Sequence, residues 1–328
     1  MTITSDSLQD RLQQAREKRE ASTTLSQTSL RLFDGEGDGI AGLWIDRFGE
    51  VIIVHLREDR RALQEQLRGL SPHLPELFGV SSGYLRIHET DPKNSALHSA
   101  VLLFGDPIEE LWVKEGALEF LVRPSQQVNG GLFLDARDLR CELARISSGK
   151  RVLNTFAFTG TLGIAAFSGD ALEVVQVDIS KSILRWAKEN YERNFSSSPR
   201  DGMRFIAEDS RSFMARENRR IEGGKEPYDI VLIDPPAFGR SDGKPFRLLS
   251  ELENLIQSGV SLLAEGGELF ISCNVRQIGF EHLEKVASRE GSRLGRRITN
   301  LERLLPPSDF TNRSLNAAHL RGIRLRVS

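Results

Sequence analysis

Residues 151–160, RVLNTFAFTG, decide the fold of this chain. The apolar stretch over 151–156 predicts a strand, the pair Thr159-Gly160 predicts a tight turn, and a helix is predicted over 161–168. Gly160 has no Cβ, which lets the backbone of the turn approach a ligand closely. Many α/β sheets begin with such a strand, turn and helix. The stretch therefore predicts a fold class, and the ligand has to be inferred from the rest of the chain.

The sequence after residue 126 alternates short apolar strands with amphipathic helices. This alternation predicts right-handed crossovers and a parallel sheet that carries helices on both faces. A sheet of this kind binds its ligands beyond the carboxyl ends of the strands. The predicted strands span 151–156, 173–178, 203–206, 228–233 and 268–272, and the predicted helices span 161–168, 180–194, 209–220, 247–264 and 277–290.

Acidic residues stand at the ends of the second and third of these strands. Asp178 ends the second strand, where an acid binds both hydroxyls of a ribose in many nucleotide-binding sheets. Asp209 follows the third strand, between Glu208 and Ser210. It either binds an adenine amino group or caps the helix that begins there. Taken alone, Asp178 is equally compatible with a helix cap.

The fourth strand ends in a stiff loop, Asp234-Pro235-Pro236-Ala237-Phe238. The two prolines restrict the backbone, and the aromatic ring can stack on a flat substrate. Alone, the loop is also compatible with a simple strand-ending turn. Its occurrence after Gly160, Asp178 and Asp209, on successive strand ends, favours a nucleoside site beside a rigid acceptor loop. This is the layout of a class I S-adenosylmethionine-dependent methyltransferase.

The first third of the chain has a different character. Residues 7–20 are predicted to form a helix, 21–29 a polar linker, and 30–125 a β-rich domain with a hairpin over 111–122. Its most visible motif, GDGIAG at 37–42, matches G-x-G-x-x-G, but the motif is followed by strands and lacks the helix that a dinucleotide site requires. A glycine-rich β-turn explains it better. The predicted domains are 1–30, 31–125 and 126–328.

Composition narrows the class of protein. The 328 residues carry a net charge of −2, which excludes a uniformly basic nucleic-acid coat. Two cysteines and no apolar run of the length of a membrane helix favour a cytoplasmic protein. The six histidines show no ligand spacing with cysteines or acids, so no metal is expected. The C-terminal part is basic, and its arginines either contact phosphates or form a solvated helix face; they are Arg289, Arg293, Arg296 and Arg297.

Several motifs make the chain resemble a family. It is similar to the bacterial 23S ribosomal RNA methyltransferases that form 5-methylcytosine, the large-subunit methyltransferase I-like group. The resemblance covers residues 31–328 and is carried by the segments 31–42, 45–49, 131–138, 154–160, 234–238, 272–274 and 320–327. Many members also have an N-terminal RNA-binding PUA domain, whereas only a helix and a linker precede the shared region here.

The resemblance implies a Rossmann-like, seven-stranded class I methyltransferase sheet preceded by a smaller N-terminal α+β domain. It implies S-adenosylmethionine as the cofactor and ribosomal RNA as the substrate. The oligomeric state stays open, with a homodimer as one candidate. The residues that the resemblance places at the cofactor are Phe158, Thr159, Gly160, Asp178, Ile179, Asp209, Ser210 and Asp234.

Cys273 is the candidate nucleophile. Methylation of cytosine carbon 5 needs a thiolate that adds to carbon 6 and a base that later removes the carbon 5 proton. Cys273 closes the fifth strand in the sequence Ser-Cys-Asn, which uridine-C5 RNA methyltransferases use in a similar place. The alternative is a small buried side chain that ends a strand. Asp234 is the first candidate for the base, followed by Glu281, His282 and Asp309.

Three functions remain open at this stage. The first is methylation of ribosomal RNA at cytosine carbon 5 through Cys273. The second is methylation of nitrogen or oxygen, on a small molecule or another base, in which Asp234 orients the acceptor and no cysteine is needed. The third is a non-catalytic module that binds RNA or protein, which the complete set of Gly160, Asp178 and Asp234 disfavours.

Overall fold

The protein divides into two units. The computed structural model describes residues 5–22, 28–88, 100–126, 129–197, 200–241, 244–275, 277–311 and 321–328. The first unit comprises Met1–Asp135 and Pro307–Arg313, and the second comprises Ala136–Pro306 and Ser314–Ser328. These bounds differ from the predicted domains 1–30, 31–125 and 126–328, because two segments pack into the first unit and because that unit extends to Asp135.

The two segments are the N-terminal helix and the stretch after Pro306. The helix buries Leu8 and Leu12 completely in the core of the first unit. Asp309 is also fully buried, and its Oδ2 accepts a hydrogen bond from the backbone N–H of Arg31 at 2.7 Å. Its carbonyl oxygen accepts one from Arg19 Nη2 at 2.9 Å. Asp309, a weaker candidate for the catalytic base, is thus a structural tie in this unit.

The first unit is built on a mixed sheet of five described strands in the order β1-β2-β3-β4-β5. Strands β3 and β4 are parallel, and the other neighbours are antiparallel. The predicted hairpin over 111–122 is confirmed as β6 and β7. The elements are α1 (Ser5–Ser22), β1 (Ser29–Asp34), β2 (Leu43–Phe48), β3 (Val51–Arg57), α2 (Ala62–Leu70), α3 (Leu74–Phe78), β4 (Ser82–His88), β5 (Val101–Phe104), β6 (Leu111–Glu115) and β7 (Leu118–Val122).

The glycine-rich motif at 37–42 lies between the antiparallel strands β1 and β2. A short 3₁₀ turn over Gly35–Asp38 is followed by Gly39 with φ of 88° and Gly42 with φ of 83°. Both values lie in the left-handed region, which glycine adopts without strain. This confirms the β-turn and excludes the strand-glycine-helix arrangement of a dinucleotide site.

One face of the first sheet carries a buried polar chain. Arg31 Nε donates to Asp46 Oδ1 at 2.5 Å, and Asp46 Oδ2 lies 3.4 Å from His55 Nε2. The other ring nitrogen of His55, Nδ1, lies 2.9 Å from His88 Nε2. Burial lowers the pKa of His55, although Asp46 acts in the opposite direction. His55 therefore remains neutral in the fold at pH values where the unfolded chain binds a proton.

The second unit contains a seven-stranded sheet, counted over the described residues, in the order β10-β9-β8-β11-β14-β16-β15. Its first five strands are parallel, and β16 runs antiparallel to both of its neighbours. The elements are α4 (Arg137–Ile146), β8 (Arg151–Thr155), α5 (Thr161–Ser168), β9 (Glu173–Asp178), α6 (Lys181–Phe195), β10 (Met203–Ala207), α7 (Ser210–Glu222), β11 (Tyr228–Ile233), β12 (Phe238–Ser241), β13 (Lys244–Arg247), α8 (Leu248–Ser261), β14 (Leu263–Cys273), α9 (Phe280–Arg293), β15 (Ile298–Leu304) and β16 (Arg321–Val327).

All five strands and five helices predicted after residue 126 are confirmed, with shifts at some ends; β14 begins at Leu263, where 268 was predicted. The strands β15 and β16 and the hairpin β12–β13 were not predicted as elements. β15 is an edge strand in which no residue is fully buried, so its sequence lacks a clear apolar alternation. β16 alternates arginines with buried Ile323, Leu325 and Val327.

Register aligns the carboxyl ends of the five parallel strands. Ala207 pairs with Asp178, Val177 with Thr155, and Ile233 with both Thr155 and Ile271. Apolar side chains cover the two faces of this sheet in separate clusters. The loops that follow β8 to β14 therefore share one edge, where a ligand of such a sheet binds. None of the helices within the described ranges combines the length and the apolar character needed to cross a bilayer.

Three of the four arginines predicted to contact phosphates have partners inside the fold. Arg289 pairs with Glu253 at 2.7 Å and with Glu290 at 2.9 Å. Arg296 donates to the carbonyl oxygens of Leu263 and Ala264 at the start of β14. Arg293 also lies near the Glu290 carboxylate, at 3.7 Å. These contacts favour the interpretation of this segment as a solvated helix face.

The neutral His55 predicts a pH dependence for the first unit. Because the pKa of His55 is lowered from 6.5 in the fold, the unfolded state binds more protons below that value. The contribution of His55 to the unfolding free energy should be constant above about pH 6.5, where His55 is neutral in both states. The unfolding free energy should then fall as the pH drops from about 6.5 toward the lowered pKa of His55 in the fold. Thermal unfolding between about pH 7.5 and about pH 5 measures this loss.

The matched variants are His55→Gln and His73→Gln. His73 is exposed on the turn before α3. The first variant should flatten the pH dependence, and the second should keep that of the parent. An unchanged slope in His55→Gln would show that His55 does not couple folding to protonation.

Candidate active site

The loop after β8 has an unusual backbone. Phe156 and Phe158 have φ of 54° and 51°, a region that costs residues other than glycine about 1 kcal/mol or more. Two side chains from neighbouring strand ends hold it there. Ser210 Oγ accepts from the N–H of Phe156, and Asp178 Oδ2 accepts from the N–H of Phe158, both at 3.0 Å. The loops after β8, β9 and β10 are therefore tied together.

Asp178 is half-buried at the end of β9. Its second oxygen, Oδ1, accepts from the N–H of Ser180 at 2.9 Å. Burial raises the pKa of Asp178, and its two backbone hydrogen bonds act against this rise. A carboxylate oxygen can accept more than one hydrogen bond, so both oxygens can still accept from a diol. The next side chain, Ile179, is apolar and 50% exposed, which suits the face of an aromatic base.

A pair of buried amides supports the loop from below. Asn154 and Gln176 are cross-strand partners in β8 and β9, and Asn154 Nδ2 donates to Gln176 Oε1 at 2.7 Å. Gln176 Nε2 in turn donates to the carbonyl oxygen of Gly160 at 2.9 Å. Sequence reasoning missed both residues. The available signal was an amide inside each of two otherwise apolar strands, because a buried amide needs a hydrogen-bonding partner.

Gly160 is required by internal packing as well as by its backbone. Its φ is 76°, and a Cβ at this position would lie 2.9 Å from both Gln176 Nε2 and Ala187 Cβ. Close contact with β9 and α6 thus requires glycine here, and the room that it gives a ligand stays a prediction. A Cβ at Gly163 would lie still closer, 2.5 Å from the Gln176 amide.

Three further predicted cofactor residues point into the fold. Thr159 is fully buried, and its carbonyl oxygen accepts from Asn190 Nδ2 at 3.0 Å. Asp209 caps α7, because its Oδ1 accepts from the N–H of Ser212 at 3.0 Å. Ser210 is buried and bonds the Phe156 backbone. Phe158, Asp178 and Ile179 keep exposed surface in this structure. Thr159, Asp209 and Ser210 support the loops that carry them.

Asp234 stands at the end of β11, next to β14. The Ser272 hydroxyl donates to Asp234 Oδ1, which orients the carboxylate. Pro235 is buried and Pro236 is exposed, so the diproline loop is anchored on one side. The two polar residues border a small pocket of about 200 Å³, a volume that includes open solvent; its other lining residues are Leu139, Leu162, Leu232, Ile233, Phe270, Ile271 and Leu304.

Cys273 follows Ser272 but lies on the opposite face of β14, because successive strand residues alternate. It is 1% exposed and belongs to the apolar cluster that includes Leu269 and Ile271. Its Sγ accepts from the N–H of Val275 at 3.3 Å. Burial raises the pKa of the Cys273 thiol, and the charge of Arg321 on β16 acts against this rise. The thiol is therefore protonated and shielded in this conformation.

The remaining candidates lie elsewhere. Cys141 is exposed on α4. Glu281 and His282 are exposed in the first turn of α9. Within the ranges that the structure describes, no three His, Cys, Asp or Glu side chains are placed to share a metal ion.

The strand order and the strand-end acids together define a class I methyltransferase fold. Nucleoside hydroxyls are donors that match the acceptor oxygens of Asp178, and the exposed apolar surface of Ile179 beside them matches adenine. The residues present therefore fit S-adenosylmethionine. The sequence matches the S-adenosylmethionine-dependent methyltransferase family over residues 40–326. The chain belongs to this family.

Curated relatives agree with the assignment. The chain is 31% identical over 251 residues to ribosomal RNA large subunit methyltransferase I of Aeromonas hydrophila, covering 75% of this chain and 61% of that protein. It thus spans about three fifths of that relative's length. It is 28% identical over 306 residues to a ribosomal RNA large subunit methyltransferase of Deinococcus radiodurans, covering 90% of this chain and 72% of that protein.

Solved structures share the fold. A methyltransferase structure complexed with SAH superposes with a TM-score of 0.85 at 22% identity, covering 100% of this chain and 83% of the other. An S-adenosylmethionine-dependent methyltransferase structure from Streptococcus mutans gives a TM-score of 0.84 at 21% identity, covering 100% and 82% of the two chains. At these identities the likeness shows the fold alone.

The amide support predicts that Gly163→Ala impairs cofactor binding. The new methyl group would displace the Gln176 amide, which holds the Gly160 carbonyl. We expect the affinity for S-adenosylmethionine to fall by about tenfold or more, because the misplaced loop loses its bound geometry. Isothermal titration calorimetry measures the affinity. Gly69→Ala in α2 is the control, since a Cβ there meets nothing within 4 Å; equal affinity in the two variants would contradict the support role.

Proposed function

We propose that the protein transfers the methyl group of S-adenosylmethionine to a base of large-subunit ribosomal RNA in the cytoplasm. The observation that supports this proposal best is that two candidate sites lie on the same edge of the sheet. The Asp178 loop offers a nucleoside site, and Asp234 offers an acceptor site two strands away, with β8 between them. The names of the relatives, which are ribosomal RNA methyltransferases, support the substrate.

The cofactor half of the site uses two groups of residues. Asp178 would accept hydrogen bonds from the ribose, while Phe158 and Ile179 would contact the base. The loop geometry behind them is maintained by Thr159, Gly160, Asp209 and Ser210. Bound S-adenosylmethionine supplies an electrophilic methyl group on a sulfonium, and the protein supplies the position and the exclusion of water.

The acceptor half centres on Asp234. Ser272 occupies one side of its Oδ1, so the carboxylate has a defined orientation. The diproline loop stiffens the backbone that carries it. The Asp234 carboxylate would accept hydrogen bonds from the amino group of an RNA base that binds beside the diproline loop.

Within this function, we propose cytosine carbon 5 as the acceptor and Cys273 as the nucleophile. The Cys273 thiol would first lose its proton to a base and add to carbon 6. Carbon 5 would then take the methyl group, with S-adenosylhomocysteine as the leaving group. A base such as Asp234 would remove the carbon 5 proton, and the thiolate would leave as the double bond re-forms. Burial and the Asp234 charge raise the pKa of Cys273 in the closed conformation, and the Val275 N–H and the Arg321 charge act against this rise. Because Cys273 is buried, this route requires that RNA binding moves the loop after β14 and exposes the thiol.

A second candidate is methylation of a nitrogen atom without a covalent step. The burial of Cys273, at 1% exposure, favours it. Asp234 would accept a hydrogen bond from the amino group, which turns the nitrogen lone pair toward the methyl group. Ser272 would position Asp234, and no thiol would participate.

Ribosomal RNA from a strain that lacks the gene tests the general function. Purified protein with radiolabelled S-adenosylmethionine should label the large-subunit RNA of that strain and should not label RNA from the parent strain. Asp178→Asn should lose the labelling together with cofactor affinity, because its amide replaces an acceptor by a donor. Absence of labelling by a protein that binds the cofactor would refute ribosomal RNA as the substrate.

Cys273→Ala distinguishes the two acceptors. If carbon 5 is the target, methyl transfer should fall by about 10³-fold or more while cofactor binding persists, because no other described thiol lies at this edge. Cys141→Ala, the exposed control, should keep full activity. Retained activity in Cys273→Ala would exclude the covalent route and leave the nitrogen route. Mass spectrometry of the labelled nucleoside gives an independent readout.

A further inference from the structure

The hairpin β12–β13 follows the diproline loop directly, and the methyl-transfer chemistry does not account for it. Its strands pair Phe238 with Arg247 and Gly239 with Phe246. Directly opposite residues of antiparallel strands share a face, and neighbours along a strand alternate. Phe238 and Arg247 therefore share one face, and Phe246 lies on the other.

The inner face of the hairpin is anchored on the cofactor loop. Phe246 is 4% exposed, and its ring centroid lies 5.9 Å from that of Phe156. The Arg211 guanidinium lies 5.3 Å from the Phe246 ring centroid. The base of the hairpin is closed by a hydrogen bond from the N–H of Leu248 to the carbonyl oxygen of Ala237 at 3.1 Å. The hairpin is thus a supported element of the second unit.

The outer face exposes an aromatic ring beside a cation. Phe238 is 67% exposed, the largest exposed fraction among the large apolar side chains of the described residues. Arg247, directly opposite, is also exposed. An exposed aromatic ring beside a cation is a pairing that binds single-stranded nucleic acid, through base stacking and phosphate contacts.

We propose that Phe238 and Arg247 form a docking surface for an unpaired RNA strand that flanks the target nucleotide. This inference rests on the proposed function. Phe238 is four positions after Asp234, so their Cα atoms lie within about 14 Å of each other. A base stacked on Phe238 would therefore belong to a nucleotide close to the target in the same strand. The positive charge of Arg247 would face its backbone phosphate.

Fluorescence anisotropy with a labelled single-stranded RNA of about ten nucleotides tests the surface. Phe238→Ala should weaken binding roughly 5- to 100-fold, because it removes one stacked base, and Phe238→Tyr should restore it. Arg247→Gln should reduce the slope of log affinity against log salt by about 0.7, the value for one phosphate contact on a single strand. Unchanged cofactor affinity and unfolding temperature in the variants show that the fold is intact.

The chain offers matched controls at the opposite edge of the sheet. Leu172 is 64% exposed just before β9, and Arg297 is exposed just before β15. Leu172→Ala and Arg297→Gln should leave RNA binding unchanged. The same loss in these controls, or a duplex of the same sequence binding as tightly as the single strand, would overturn the proposal.

The experiments distinguish a failure of the docking surface from a failure of the proposed function. If Phe238→Ala and Arg247→Gln bind and methylate ribosomal RNA as the parent does, the docking surface is wrong and the proposed function stands. If the parent protein methylates no ribosomal RNA while both variants lose single-strand binding, the proposed function is wrong and the surface stands.

Discussion

The left-handed turn after β8 is the constraint on which the rest of the site depends. Two phenylalanines adopt a backbone conformation that is unfavourable for residues other than glycine, and hydrogen bonds from their N–H groups to Ser210 and Asp178 offset the cost. The buried amides of Asn154 and Gln176 hold the end of the same turn. Asn154 lies on β8, Gln176 and Asp178 lie on β9, and Ser210 follows β10. The turn therefore exists only when β8, β9 and β10 have paired in register.

This arrangement leaves few of the clustered residues with exposed surface. A half-buried carboxylate with two backbone donors can hold the turn and still accept from hydroxyl groups. Thr159, Asp209 and Ser210 instead accept hydrogen bonds from other groups of the protein. These hydrogen bonds support the loops that carry Phe158 and Asp178, and a cofactor contact of the three residues themselves stays a prediction.

A second division occurs at the end of β14, where neighbouring residues enter different environments. Ser272 meets Asp234 at the strand edge, while Cys273 packs among aliphatic side chains. The alternation of a strand makes this separation unavoidable. Any role for the thiol therefore involves a change in the loop that follows, whereas the hydroxyl is already in place. Earlier in the chain, Phe246 lies in the core and Phe238 in solvent for the same reason.

The sequence by itself determined the parallel sheet and the positions of its acids. Local periodicity sets each strand and helix, and chain order then brings the strand ends to one edge. The tertiary structure decided which side chains at that edge face inward. Asp209 became a helix cap, Gly160 a packing requirement and Cys273 a core residue, because each outcome depends on atoms distant in sequence. It also decided β15 and β16. The edge strand β15 carries little apolar alternation and gains its conformation from pairing with β16, which lies between β14 and β15.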